Sequence, residues 1–156
     1  MTSAEAKLAA MGIELPTKVP RGGGVVACRR HGDLLYVSGH GPEDNDGNLL
    51  FRGKVGAEVS VEEAYEAARA TGLQLLRSIR DHLGDLNRVD YIVKALGFVA
   101  SAPGFTEQPK VMHGFSDLMV EVFGERGRHA RSALGTSILP QDQPVEIELI
   151  VAVRDR

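Results

Sequence analysis

Alternation of apolar and polar positions is clearest near the C-terminus. Val145, Ile147, Leu149, Val151 and Val153 fall on one side of an extended segment, and Glu146, Glu148, Ile150 and Ala152 on the other. The stretch from His129 to Leu134 reads as a preceding strand, joined to it by a turn containing Leu139-Pro140. A switch to helical spacing marks the middle of the chain. Ser60-Val61-Glu62-Glu63 has the form of a capping box, in which hydroxyl and carboxylate satisfy opposite orphan amides. Ala64, Ala67, Ala68, Leu75, Leu76, Ile79 and Leu83 then recur near helical spacing, and Gly84 ends the run. A second helix is predicted from near Pro109, a residue suited to the first turn, to near Gly124. Between the helices, Arg88 to Ala100 is a strand segment apolar on parts of both faces, as a central strand would be.

Upstream, Gly24 to Arg30 and Leu34 to Ser38 predict a hairpin turning at His31-Gly32-Asp33, with a weaker strand near Leu49 to Gly56. Ser3 to Met11 predicts a short helix capped by Ser3, stopped by Gly12 and docked on the domain, since so short a helix is marginal alone. Pro16 to Gly24 reads as a linker. The chain therefore divides into an N-terminal helical extension and linker, residues 1–23, and a main domain, residues 24–156. The order of elements predicts an α+β fold, a mixed sheet with two helices packed on one face.

A chain of 156 residues, 43% apolar and 25% charged, has the length of one domain with a real core. Its formal net charge of -3 argues against a dedicated nucleic-acid binder. No run approaches the roughly 18 apolar residues that cross a bilayer. Met1 to Pro16 lacks the pattern of a secretory signal, and the single cysteine, Cys28, excludes an intrachain disulfide. Both fit a cytoplasmic protein. Cys28 itself is expected as a buried strand residue.

Arg131 is the first candidate for chemistry. It shares the sparse side of its strand with Ala133, Gly135 and Ser137, which leave room for a guanidinium fork and a carboxylate or phosphate that matches it. The alternative is a solvated strand arginine. Arg126-Gly127-Arg128-His129-Ala130-Arg131 forms a basic cluster that suits either a solvated loop or an anion-collecting surface. The five histidines have no metal spacing, so no metal is expected. Ser116 and Asp117 with His113 hint at a triad, but no nucleophile elbow accompanies them. Gly22-Gly23-Gly24 has neither P-loop nor dinucleotide-site form and reads as a flexible entry.

Three local patterns coincide: Leu35-Tyr36-Val37-Ser38-Gly39, Ala130-Arg131-Ser132-Ala133, and Leu139-Pro140 followed by Val145-Glu146-Ile147-Glu148. Together they resemble the RidA/YjgF family of enamine/imine deaminases, historically also labelled L-PSP endoribonucleases, from about Gly24 to Val153. Ser116 to Gly124 looks like a divergent branch with an N-terminal extension. The resemblance implies a chorismate-mutase-like α+β fold and a homotrimer with clefts between neighbouring subunits. It implies that Arg131 binds the substrate carboxylate, that Glu146 positions the hydrolytic water, and that Gly39 lines the cleft.

The chemistry of a 2-imino acid calls for such parts: a cation for the carboxylate, an acceptor for the water, and no metal or organic cofactor, because a protonated imine is already activated. Substrate-binding positions would be Gly39, His40, Arg131 and His113, the two histidines either as proton carriers or as exposed bystanders. The chain departs from the family pattern at four places. Val25 stands where a tyrosine is usual, Ala133 where a water-contacting cysteine is frequent, His40 where a polar amide is common, and His113 where this branch carries asparagine. The expected partner is a small carboxylate substrate, with hydrolysis to a 2-oxo acid and ammonia. A non-catalytic carboxylate-binding trimer is the second reading and RNA cleavage the third.

Overall fold

The computed structural model of the chain describes residues 2–16 and 22–155; most of the predicted linker lies outside the described residues. A helix α1 (Ala4–Ala10) is followed by β1 (Cys28–His31), β2 (Leu34–His40), α2 (Val61–Leu83), β3 (Val89–Ala100), α3 (Gln108–Phe123), β4 (Ala130–Thr136) and β5 (Val145–Val153). The strands form one sheet in the order β1-β2-β5-β3-β4. Only β3 and β4 run parallel, with α3 as their crossover. This is the α+β architecture that the periodicity predicts.

The elements begin where the local chemistry says they should. Ser60 Oγ accepts from the Glu63 amide and the Glu63 carboxylate accepts from the Ser60 amide, completing the capping box of α2. Gly84 ends that helix in the left-handed conformation at φ 83°. α2 and α3 pack together on one face of the sheet, with Leu75, Leu76, Ile79, Met112, Phe115 and Leu118 fully buried. They approach so closely that a Cβ on Gly114 would lie 2.0 Å from the Tyr65 carbonyl oxygen. Because backbone cannot swing aside as a side-chain tip can, Gly114→Ala is expected to force the helices apart. A loss of about 1–3 kcal/mol in unfolding free energy by denaturant titration is predicted. α1 docks through Ala4 and Leu8, and the Ala4 amide donates to Asn87 Oδ1 at 3.1 Å.

Three expectations need correction. The strand expected at Leu49 to Gly56 does not form; only isolated bridges join Glu43 to Leu49 and Val55 to Val59 and Ser101. Gly53 and Gly56, at φ 115° and 93°, break the extended run. The hairpin's first strand starts at Cys28 rather than Gly24, so Val25 precedes it and is 56% exposed. Finally, β4 and β5 are joined in sequence but not in the sheet, since β3 lies between them. The link crosses the end of β3 through a short turn, Pro140–Asp142, anchored by Ala100 N–H to Pro144 O and by Gly53 N–H to Asp142 O.

Among the described residues no helix covers the opposite face of the sheet. Register pairs Tyr36 with Ile150, Ile150 with Lys94, Glu148 with Leu96, Glu146 with Phe98, and Phe98 with Leu134, which places all of them on that face. Tyr36 and Leu134 are 45% and 49% exposed, so this face presents apolar side chains to solvent beside the charged Lys94 and Glu148. Among the described residues no helix is long and apolar enough to cross a membrane.

Candidate functional site

Arg131 lies on edge strand β4 opposite Ala95 of β3, on the side of the sheet covered by α3. That helix offers one stripe to it, Pro109, His113 and Ser116, spaced four and three residues apart. Nη1 donates to Ser116 Oγ at 3.0 Å and meets His113 Nδ1 at 3.2 Å, while Nη2 reaches the Pro109 carbonyl at 3.5 Å. A guanidinium has no lone pair to offer, so His113 Nδ1 must be the acceptor. Partial burial lowers the Arg131 pKa and Asp117 opposes the shift, but a guanidinium keeps its charge throughout the physiological range.

Behind Ser116 stands His129, placed two residues before Arg131 and therefore on the same side of the extended chain. Its Nδ1 lies 2.7 Å from Gly127 O and its Nε2 lies 2.9 Å from Ser116 Oγ. A carbonyl only accepts, so Nδ1 carries the proton and Nε2 receives the serine hydroxyl. The ring packs against Phe115, centroids 5.4 Å apart. Gly127 has to be glycine here, since a Cβ would fall 2.1 Å from Met119 O. Burial lowers the His129 pKa first, and the Arg131 charge adds to it against the opposing Gly127 hydrogen bond.

That shift fixes a sign. The folded state holds His129 neutral, whereas an unfolded chain binds its proton at about pH 6.5. Its contribution to stability is present above that pH and is lost as pH falls through the folded-state value. Denaturant midpoints measured between about pH 7 and pH 5 should therefore drop, and the drop should shrink in His129→Gln.

Glu146 belongs to a different neighbourhood. Gln143, 6% exposed, donates its Nε2 to Glu146 Oε1 at 3.1 Å. Two glycines make this possible. A Cβ on Gly39 would lie 3.0 Å from the Glu146 carboxyl carbon, and one on Gly41 would lie 2.0 Å from Gln143 Oε1. Gln141 and Asp142, both at positive φ, turn the chain so that Gln143 enters. A cavity of about 230 Å³ opens beside them, lined by Gly39, His40, Gln74, Arg77, Gln143 and Glu146. His40 is buried, with Nδ1 2.6 Å from Ser38 O and Nε2 2.7 Å from Ser78 Oγ.

The site residues foreseen in the sequence thus form two groups, Arg131 with His113 and Glu146 with Gly39 and His40. Within one chain the groups do not meet. Glu146 pairs with Phe98 on the helix-free face, Arg131 with Ala95 on the helix-covered face, and β3 separates their strands. Two strand spacings and three residues of rise put their Cα atoms on the order of 14 Å apart. No small acid spans that gap and both faces of a sheet.

The remaining candidates are settled by their contacts. Ser116 pairs with His129 rather than His113, and Asp117 accepts the Tyr65 hydroxyl at 2.7 Å, so these residues form no serine–histidine–aspartate triad. That bond pushes the Tyr65 pKa up to about 12. Cys28 is buried, and its thiol lies 3.5 Å from Ser78 O. Arg126 is not a solvated loop residue, because Nη1 holds the Val89 carbonyl at 2.9 Å; Arg128 is exposed beside Glu125. Among the described residues no three His, Cys, Asp or Glu side chains cluster to hold a metal. Gln143 escaped the sequence reading, and His129 figured there only within the basic cluster, because tight turns place them and neither turn leaves a periodic signal.

Residues 5–152 match the family described as "YjgF/chorismate mutase-like, putative endoribonuclease". The match starts inside α1. Protein TCP17 of Trypanosoma cruzi is 41% identical over 151 residues, covering 96% of this chain and 94% of that protein. A crystal structure of a protein of unknown function from Agrobacterium tumefaciens has a TM-score of 0.88 at 39% identity, covering 96% of this chain and 91% of the other. A "putative endoribonuclease" from Shewanella oneidensis has a TM-score of 0.93 at 31% identity, covering 97% and 100%.

Proposed function

The chain belongs to the YjgF/chorismate mutase-like family, and we propose that within it this protein hydrolyses small 2-imino or enamine acids to 2-oxo acids and ammonia. The observation that carries the proposal is the division of the site. A fixed guanidinium sits on one side of the chain, and a carboxylate beside a cavity sits on the other. A homotrimer would bring Arg131 of one subunit to the Glu146 cavity of the next, and a closed ring does so three times over. The helix-free face, with Tyr36, Leu96, Phe98, Leu134 and Ile150 among its charged residues, supplies a surface for such an assembly.

In that shared cleft Arg131 takes the substrate carboxylate on the Nε/Nη2 edge of its guanidinium, with His113 beside it. Glu146 accepts a proton from water as the water oxygen attacks the C=N carbon of the protonated imine. The new C–O bond gives a carbinolamine. The proton held by Glu146 passes to nitrogen, Glu146 takes the hydroxyl proton as the C–N bond breaks, and that proton leaves with the ammonia as ammonium, giving a 2-oxo acid. Gly39 lets the Glu146 carboxylate lie flat along the cleft wall. His40 stiffens that wall from behind through Ser38 and Ser78.

The experiment couples an amino-acid oxidase to this protein and follows the imine. Accelerated loss of the imine is the expected result, and an unchanged rate with several imino acids would end the hydrolase reading. A second reading, a trimer that binds small carboxylates without turning them over, draws on Ala133 and on the exposed Val25, which bring no polar group to the cleft. Calorimetry with 2-oxobutyrate in the absence of turnover would be its mark.

A further inference from the structure

The Arg131 guanidinium is held by more than its strand. Nη1 has two hydrogens, and the structure uses both: one points to Ser116 Oγ and one to His113 Nδ1. Ser116 can accept from Arg131 in this way only if its own hydrogen points elsewhere, and His129 Nε2 takes it. His129 in turn is fixed as the Nδ1–H tautomer by Gly127 O. The result is a chain of donors running in one direction, Arg131 to Ser116 to His129 to the Gly127 carbonyl. Reversing any link would place two donors or two acceptors face to face.

We infer that Ser116 and His129 are positioning residues for Arg131, a relay that locks the guanidinium by Nη1 and leaves Nε–H and the Nη2 hydrogen not used by Pro109 for a ligand carboxylate. The inference rests on the carboxylate-binding role proposed above for Arg131 and extends it to specificity. A free arginine samples many rotamers, and ordering it on binding costs affinity. Here the ordering is done beforehand, by a half-buried serine and a histidine that burial keeps neutral. The local sequence is arranged for this. Gly127 brings its carbonyl within reach by passing against Met119, Phe115 supports the imidazole ring, and Ser116 lies one helical turn beyond His113 on the same stripe of α3. Three elements contribute to the relay: α3 supplies Ser116, the turn at Gly124–Gly127 supplies the Gly127 carbonyl, and β4 supplies Arg131.

The relay accounts for a pairing that the sequence hides. Ser116 and His129 resemble a nucleophile with its base, but the serine oxygen faces a guanidinium and its hydrogen is used to orient that cation. The geometry serves recognition of an anion.

Two measurements test the relay. The first is calorimetry with 2-oxobutyrate and with its uncharged amide, 2-oxobutyramide. Ser116→Ala should weaken 2-oxobutyrate by about tenfold, the size of one lost hydrogen bond to a charged group. It should leave the amide unchanged, and Ser116→Thr, which keeps the hydroxyl, should restore the acid. In an Arg131→Lys background Ser116→Ala should add nothing further. The second measurement needs no ligand: ¹⁵N NMR of the arginine side chain and the histidine ring. Wild type should show slow rotation of the Arg131 guanidinium and a His129 Nδ1–H tautomer, and Ser116→Ala should release the rotation. Ser116→Ala with wild-type affinity for the acid, or with wild-type guanidinium rotation, would overturn the relay. Absence of 2-oxobutyrate binding in wild type would instead overturn the role proposed for Arg131, and the NMR result would still decide whether the relay exists.

Discussion

Arg131→Ala should abolish carboxylate binding while leaving the fold in place. A carboxylate on a guanidinium fork makes two charge-assisted hydrogen bonds, each worth about 1.5–3 kcal/mol. Losing both weakens affinity by at least about 100-fold, enough to remove a weak 2-oxo acid from the calorimetric window. Stability should change by no more than about 1 kcal/mol. The side chain lies on an edge strand, and its partners keep other contacts: Ser116 still reaches His129, and His113 is exposed to water. Arg131→Lys should recover only part of the affinity, because an ammonium is a point charge that cannot grip two oxygens in one plane. Unchanged affinity in Arg131→Ala would make it the solvated strand arginine of the simpler reading.

Glu146→Gln should separate turnover from binding. The amide keeps the shape of the carboxylate, so the close contact with Gly39 and a hydrogen bond to Gln143 both survive. What is lost is the ability to accept a proton from water. General-base assistance is worth about 10²- to 10⁴-fold, and kcat should fall within that range. KM should stay within a few-fold, because the proposed cleft rests the carboxylate of the substrate on Arg131. A parallel rise in KM would mean that Glu146 binds substrate rather than activating water.

Much of this was legible in the sequence, for reasons that differ by element. The capping box at Ser60 and the alternation from Val145 to Val153 are local signals, and the structure reproduces both. Insertion of β3 between β4 and β5 is not local. Parallel pairing of β3 with β4 depends on where α3 carries the chain, which no short pattern records. The failed strand at Leu49 to Gly56 shows a similar conflict. Its apolar residues suit a strand, but Gly53 and Gly56 take positive φ and end it.

The site was legible in its residue types and illegible in its arrangement. Arg131 on a sparse strand face pointed to an anion, and the neighbours that fix it, Ser116 and His129, lie in the same stretch of chain. Which histidine the serine chooses is decided by the turn at Gly127. His40 offers the reverse lesson. From its place after Ser38-Gly39 it looked like a residue of the cleft mouth or of an exposed loop. It is buried on β2 in the wall of the cavity beside Glu146, with both ring nitrogens engaged, and not in an exposed loop. Gln143, which holds Glu146, is delivered by two non-glycine residues at positive φ, a conformation that sequence seldom announces.

In the proposed assembly a working cleft needs Arg131 from one copy of the chain and Glu146 from another. Mixing Arg131→Ala and Glu146→Gln proteins, unfolding them together and refolding them as one population tests it directly. Each parent should be nearly inactive alone. In randomly assembled rings made from equal amounts, a cleft receives both intact residues about one time in four, so the mixture should recover about a quarter of wild-type turnover. A refolded mixture no more active than its two parents, beside an active wild type, would place both residues in a single chain's site and contradict the shared cleft.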